Sequence, residues 1–296
     1  MANLKEIRAR ITSVTSTQQI TKAMKMVSAS KLRRAQNAIV QLRPYSQKLN
    51  AMLSNLLSNI EGDASSAFGA ERPVENVCIV VVTSNRGLCG AFNSNVIKSA
   101  IAVMNEKYPS QLAAGKITIL PVGKKGADFF RKRYSKLPMI SDYIELFSNL
   151  QSDNVATVSQ QLMDAFISKK FDAVEISYGR FRNAAMQFAE TEQFLPVAKI
   201  SSDENAPKKK ADYIFEPDQR SLLEHLIPSI LHTQFLKCCL DTHASEHGAR
   251  MTAMDKATEN AQEMLKDLKI TYNKARQEAI TKELSEIVGG AAALEG

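Results

Sequence analysis

ARMTAMDKATENAQEMLKDLKITYNKARQEAITKELSEIV, residues 249–288, runs for forty residues without a glycine or a proline. Met251, Met254, Ala261, Leu265, Leu268, Tyr272, Ala275 and Ala279 recur at alternating steps of three and four, with Thr258 as the one polar step. That spacing lays a single narrow apolar seam along a helix. Forty helical residues reach about 60 Å at 1.5 Å per residue, far more than a compact domain needs. The helix is expected to begin much earlier, near Ser221, with Pro228 and Gly248 as places for a bend.

The other end of the chain mirrors this one. Apolar residues fall at Leu4, Ile7, Ile11 and Val14, then at Ile20, Met24 and Val27, and resume as Ala35, Ala38, Leu42, Tyr45, Leu49, Met52 and Leu56. No glycine precedes Gly62, and Pro44 is the discordant residue, expected to kink the helix or end its first part. A seam this narrow cannot bury itself alone. The economical solution is two terminal helices wrapped antiparallel around each other as a rod, residues 1–60 with residues 213–290.

Between them the period changes. Residues 77–83 (VCIVVVT), 117–122 (ITILPV) and 171–178 (FDAVEISY) read as buried strands, and 93–106, 124–133 and 154–167 as helices. Strands alternating with helices predict a parallel α/β sheet over 74–200, with 187–195 as a further edge strand. Polar linkers flank it at 61–73 and at 201–212, the second containing Lys208 to Lys210.

The chain has 296 residues, 44% hydrophobic and 23% charged, an ordinary balance for a soluble protein. No run of about 18 apolar residues exists, which excludes a membrane-spanning helix. The Arg-bearing N-terminus superficially suits a mitochondrial presequence, but its helical pattern continues unbroken into the folded body and reads as structural. Of the net charge of +7, the first sixty residues contribute +9: ten Lys or Arg against Glu6. A basic helix of this kind implies an acidic partner: nucleic acid, anionic membrane or a protein with carboxylate loops.

Motifs for catalysis are missing. The turn at 85–90, NRGLCG, follows a strand and precedes a helix, where a phosphate would sit on amide groups. Yet neither GxGxxG nor GxxxxGK[ST] occurs, and the Gly123-Lys124-Lys125-Gly126 turn lacks the Ser or Thr that would hold magnesium. Both read as tight turns. Cys89 stands at a helix start beside Arg86, where a thiolate is favoured, but no base lies near it in sequence. His225, His232, His243 and His247 all belong to the C-terminal helical segment and read as surface or seam residues. The four cysteines, Cys78, Cys89, Cys238 and Cys239, have no metal-ligand spacing and fit a reducing compartment.

Three stretches together resemble the gamma subunits of F-type ATP synthases, and the likeness covers essentially the whole chain. RITSV at 10–14, continuing through QITKAMKMVSASKLR at 19–33, is similar to the first helix of that family. RGLCG at 86–90 resembles its middle-domain motif, and ITKELSEIVGGAAA at 280–293, with NKARQ at 273–277 before it, its C-terminal signature. The cysteine pair that chloroplast-type members carry in a middle insertion is not present.

The resemblance implies a non-catalytic rotor shaft, without cofactor or metal, that couples a proton-driven c-ring to conformational cycling of the catalytic beta subunits. The fold it implies is an antiparallel coiled coil of terminal helices with a central Rossmann-like α/β foot. Met24, Lys25, Arg250, Gln277, Thr281 and Glu283 match the region that meets the alpha and beta subunits of the head. Lys208 and Tyr213 match the foot, near the epsilon subunit and the c-ring. The expected location is the cytoplasmic face of a bacterial plasma membrane, as a peripheral protein; the matrix side of the mitochondrial inner membrane is the alternative. A basic coiled-coil nucleic-acid-binding protein is the competing reading. Against it, residues 1–44 contain no aromatic side chain on which bases could stack.

Overall fold

The structure, a computed structural model, describes residues 4–58, 68, 72–197 and 219–295. The linker at 201–212, most of that at 61–73, and Lys208 and Tyr213 lie outside the described residues, as do the side chains of Leu56 and His225. Helix α1 spans Leu4–Ser58 and α6 spans Gln219–Glu295. Between them run β1 (Val77–Val82), α2 (Phe92–Glu106), α3 (Pro109–Ala113), β2 (Ile117–Val122), α4 (Lys124–Arg133), α5 (Ser152–Ile167), β3 (Ala173–Phe181) and β4 (Gln187–Leu195). The chain divides into two compact units. One holds the start of α1, up to Ser28, with α6 from Met251 onward; the other spans Ala29–Arg250.

Both long helices run through their prolines. Pro44 was expected to kink or end α1, and the chain does not stop there. Pro44 cannot donate to the carbonyl of Val40, and both residues are exposed, Val40 by 61%, so the missing hydrogen bond falls on the exposed side of the helix. Gly248 marks a close approach rather than a bend. A Cβ there would meet the Ala184 carbonyl at 3.3 Å, so the glycine lets the 182–186 loop lie directly on α6.

In the larger unit, β1 and β3 occupy the middle of a four-stranded sheet ordered β2-β1-β3-β4. Val77 pairs with Ile117 of β2 and with Ala173 of β3, both in parallel, while β4 returns antiparallel beside β3. All six residues of β1 are buried, as a strand covered on both faces must be. Val77, Ile79 and Val81 pack with Val96, Ala100 and Met104 of α2 and Phe130 of α4. Cys78, Val80 and Val82 pack with Leu162 and Phe166 of α5 and with Leu231, Phe235 and Cys239 of α6. The sheet is thus clamped between two helical layers, and α6 belongs to one of them. Its Thr242 and Ser245 hydroxyls close on the Gly179 amide and carbonyl of β3, at 3.2 and 2.9 Å.

Candidate functional site

In the smaller unit α1 and α6 pair along their seams. Lys25 Nζ meets Asp255 at 2.5 Å, Thr21 and Thr258 share a hydrogen bond of 2.8 Å, and Arg8 donates to the Tyr272 hydroxyl at 2.8 Å. Seventeen residues back along α1, from Lys25 to Arg8, match seventeen forward along α6, from Asp255 to Tyr272, so the helices are antiparallel. On α6 the covered residues run Met254, Thr258, Ala261, Leu265, Leu268, Tyr272, Ala275 and Ala279, as the spacing predicts.

On α1 the expected phase fails in one stretch. Leu4, Ile7, Ile11 and Val14 are covered, but the three-and-four rhythm then continues through Gln18, Thr21, Lys25 and Ser28 rather than through Ile20 and Val27. Ile20 is 59% exposed and Val27 57%. Register wins over local hydrophobicity because Thr21 and Lys25 find polar partners across the seam, and Ser28 bonds its hydroxyl back to the Met24 carbonyl at 2.8 Å. In the larger unit the covered positions of α1 are Leu32, Ala35, Ile39, Leu42, Ser46 and Leu49; Tyr45 and Met52, expected in the seam, are exposed.

The 86–90 turn sits in the larger unit and is held from two sides. Ser84 and Cys89 share a hydrogen-bonded cluster with Asn93 on α2, whose side-chain nitrogen donates to the Ser84 hydroxyl at 2.8 Å and to the Cys89 sulfur at 3.2 Å. Cys89 is therefore buried packing, not an exposed nucleophile. From the other side, Arg250 of α6 donates to the carbonyls of Arg86 at 2.9 Å and Gly87 at 3.2 Å, and pairs with Glu246 at 2.6 Å. Leu88 adopts φ 64 and is 65% exposed at the tip.

Arginine only donates, so its 3.3 Å contact with His247 makes Nδ1 of that ring the acceptor. The proton of His247 then sits on Nε2 and is donated to Nε2 of His243 at 3.1 Å, while the His243 ring stacks on Phe147. Burial holds both imidazoles neutral, lowering His243 to about 4 and His247 to about 3, with nearby cations adding to the effect. The expectation of surface or seam histidines is corrected for these two: they form an interior polar chain beside the turn. His232 is half-buried and bonded to Ser159 of α5.

Of the two turns weighed as phosphate sites, the one at the start of α4 is filled by the chain itself. The amides of Lys124, Lys125 and Gly126 at the start of α4 donate to Asn85 Oδ1, the Ser84 carbonyl and the Thr83 hydroxyl, at 3.1, 3.1 and 2.9 Å. Gly123, at φ 106, is required here, since a Cβ would fall 2.1 Å from the Thr83 carbonyl. A helix start whose amides are already bonded has none left for a phosphate. Of the residues singled out in the sequence, Lys25 is paired to Asp255, Met24 is half-buried, and Arg250 is buried in its own network. Gln277, Thr281 and Glu283 stand together, exposed, on the distal part of α6. The role of Arg250 at the turn had no sequence signal, because its partners are backbone carbonyls more than 160 residues away.

An α/β layer inserted in sequence between two long helices that pair along a single seam defines a coiled-coil stalk protein. The sequence profile of the ATP synthase family matches residues 3–294. The ATP synthase gamma chain of Cytophaga hutchinsonii is 51% identical over 295 residues, covering 99% of both chains. That of Flavobacterium psychrophilum is 52% identical over 297 residues, covering all of both. Among solved structures, a chain of the Euglena gracilis mitochondrial ATP synthase (OSCP, F1 and c-ring) superposes with a TM-score of 0.66 at 22% identity, covering 98% of this chain and 94% of that one. A chain of the Tetrahymena thermophila central stalk and c-ring gives 0.55 at 21% identity, over 80% and 99%. These two likenesses carry the fold. The chain belongs to the ATP synthase family, among its gamma chains, which are non-catalytic subunits of the complex.

Proposed function

We propose that this chain works as the central rotor shaft of an F-type ATP synthase, coupling rotation of a proton-driven c-ring to conformational cycling of the beta subunits. The observation that carries the reading is the free end of α6. At the register set by Arg8 and Tyr272, α6 continues beyond the start of α1 for roughly twenty residues. Along that extension Ile280, Leu284, Ile287 and Val288 are exposed at helical spacing, an apolar stripe in need of a cover. A ring of head subunits closing around the helix supplies one, with Gln277, Thr281 and Glu283 beside the stripe. Met24 and Lys25 on α1 belong to the same contact region, and the basic face of α1 suits mobile carboxylate loops.

A single shaft in a ring of repeated subunits touches each of them differently, and only such differential contacts can shift their conformations. Exposed charge pairs contribute little when fixed, so attraction between the basic helix and acidic loops can be redistributed as the shaft turns. Arg250, engaged inside its own chain, would act on the head by fixing the 86–90 turn with its exposed Leu88. Residues 74–200 form the foot in this reading, with Lys208 and Tyr213 near the epsilon subunit and the c-ring. No described helix is long and apolar enough to cross a membrane, which suits a peripheral subunit, on the cytoplasmic face in a bacterium.

A cysteine at Gln277, oxidised to a partner cysteine on the facing beta loop, is expected to abolish multi-site ATP turnover and proton pumping, and reduction to restore both. Full coupled turnover in a completely cross-linked sample would sink the shaft mechanism in favour of a static scaffold.

A further inference from the structure

Within the larger unit, α1, β4 and α6 line a cavity of about 220 Å³. Ile230, Thr233, Gln234 and Lys237 reach it from one face of α6, spaced as neighbours on successive turns. Ser46 and Leu49 reach it from α1, and Glu192 from β4. Glu192 and Lys237 bring opposite charges to the same cavity, both half-buried, yet they form no ion pair with each other or with any described residue. Glu192 spends Oε1 on the Tyr178 hydroxyl at 2.5 Å, which leaves Oε2 to accept. The Thr233 hydroxyl donates to the Ser229 carbonyl at 2.8 Å and keeps its lone pairs. The Gln234 amide bonds to no described residue. Leu49, buried, and Ile230, half-buried, supply an apolar wall beside these groups.

We propose that this cavity binds an aliphatic α-amino acid, its carboxylate on Lys237 and the Gln234 amide, its ammonium on Glu192 and the Thr233 hydroxyl, and its side chain against Leu49 and Ile230. A half-buried charge is stabilised by an opposite charge or a hydrogen bond, and a zwitterion answers both charges of the cavity at once. Ligands of one sign do not. A phosphate would meet the Glu192 carboxylate and a polyamine the Lys237 ammonium, each a like-charge contact. The surroundings favour neither sign, because the buried Asp241, one turn beyond Lys237, is answered by Arg43 of α1. Size narrows the choice further. The volume falls below the roughly 300–1,000 Å³ of sites for drug-sized ligands, too small for a nucleotide. Branched aliphatic carbon suits the leucine and isoleucine of the wall better than a polar or charged side chain would.

Calorimetry on the full-length chain with L-leucine tests this, beside two analogues: isocaproate, which lacks the ammonium, and isoamylamine, which lacks the carboxylate. Leucine should bind saturably with a Kd on the order of 1 mM, ordinary for a ligand of so few atoms. Each analogue should bind at least about tenfold more weakly, since it leaves one charge of the cavity unanswered. These comparisons use the wild type alone and do not depend on any variant folding. Lys237→Gln and Glu192→Gln should each weaken leucine binding at least about tenfold as well. Glutamine at 192 still offers Tyr178 an acceptor, and an unchanged melting temperature without ligand shows that the fold is kept. No saturable binding of leucine by the wild type, equal binding of either analogue, or unchanged affinity in both folded variants would each overturn the proposal. None of these outcomes touches the Gln277 tether, which tests the shaft reading by itself.

Discussion

At the scale of single residues, Arg250 is among the most heavily committed side chains of the described residues. Replacing it with alanine strands the buried Glu246 carboxylate and two carbonyls of the turn. A loss of about 3–5 kcal/mol in urea unfolding is expected, with Arg250→Lys recovering only part because lysine lacks the fork. Wild-type stability in Arg250→Ala would mean that the network does not form. The neighbouring histidines give a pH signature. Their folded values lie below the ordinary 6.5, so their contribution is complete above pH 6.5 and is lost as pH falls toward about 4 and 3. Asp241, pushed up to about 6 by burial, and Glu246, raised by burial against the pull of Arg250, act in the opposite sense and favour folding as pH falls. Comparing wild type with His243→Gln/His247→Gln isolates the pair: the wild type should lose up to about 2 kcal/mol more per histidine between pH 7 and 5. Parallel stability curves would contradict two buried neutral rings. The sequence put these histidines four apart on one helix face; it could not say what covered that face, because Phe147 and the 86–90 turn come from distant segments.

At the scale of elements, the two seams were unequally legible. On α6 the apolar rhythm and the packing rhythm coincide from Met251 to Ala279, so spacing alone was enough. On α1 they part company between residues 18 and 28, where Ile20 and Val27 face outward, Met24 is half-buried, and polar side chains keep the register. Hydrophobicity is a local signal, whereas register is set by the partner helix, and the partners Thr258 and Asp255 lie 237 and 230 residues away. Truncation separates the two phases. Leu265→Ala, in the covered seam, should cost about 2–3 kcal/mol, while Ile20→Ala should stay within about 0.5 kcal/mol in the isolated chain. Similar costs for both in thermal unfolding would restore the rejected phase. The strands were placed to within two or three residues from continuous apolar runs, and the edge strand from its position in the order.

For the molecule as a whole, the sequence has no phosphate-binding loop, and the start of α4 spends its amides on residues 83–85. Calorimetry on the isolated chain should detect no magnesium-dependent ATP site; one of micromolar affinity would overturn the non-catalytic reading. The pairing of the chain's two ends has a consequence for its biogenesis. Arg8 and its partner Tyr272 are 264 residues apart. At roughly 5–20 residues per second of synthesis, α1 waits on the order of ten to fifty seconds for the strip of α6 that covers Ile7, Ile11 and Val14. The larger unit, whose sheet is finished by Leu195, can fold during that interval. The coiled coil of the smaller unit therefore closes last. Until it does, a newly made chain shows an uncovered basic and apolar helix to whatever holds it at the ribosome, and release before residue 272 is translated leaves the pairing incomplete.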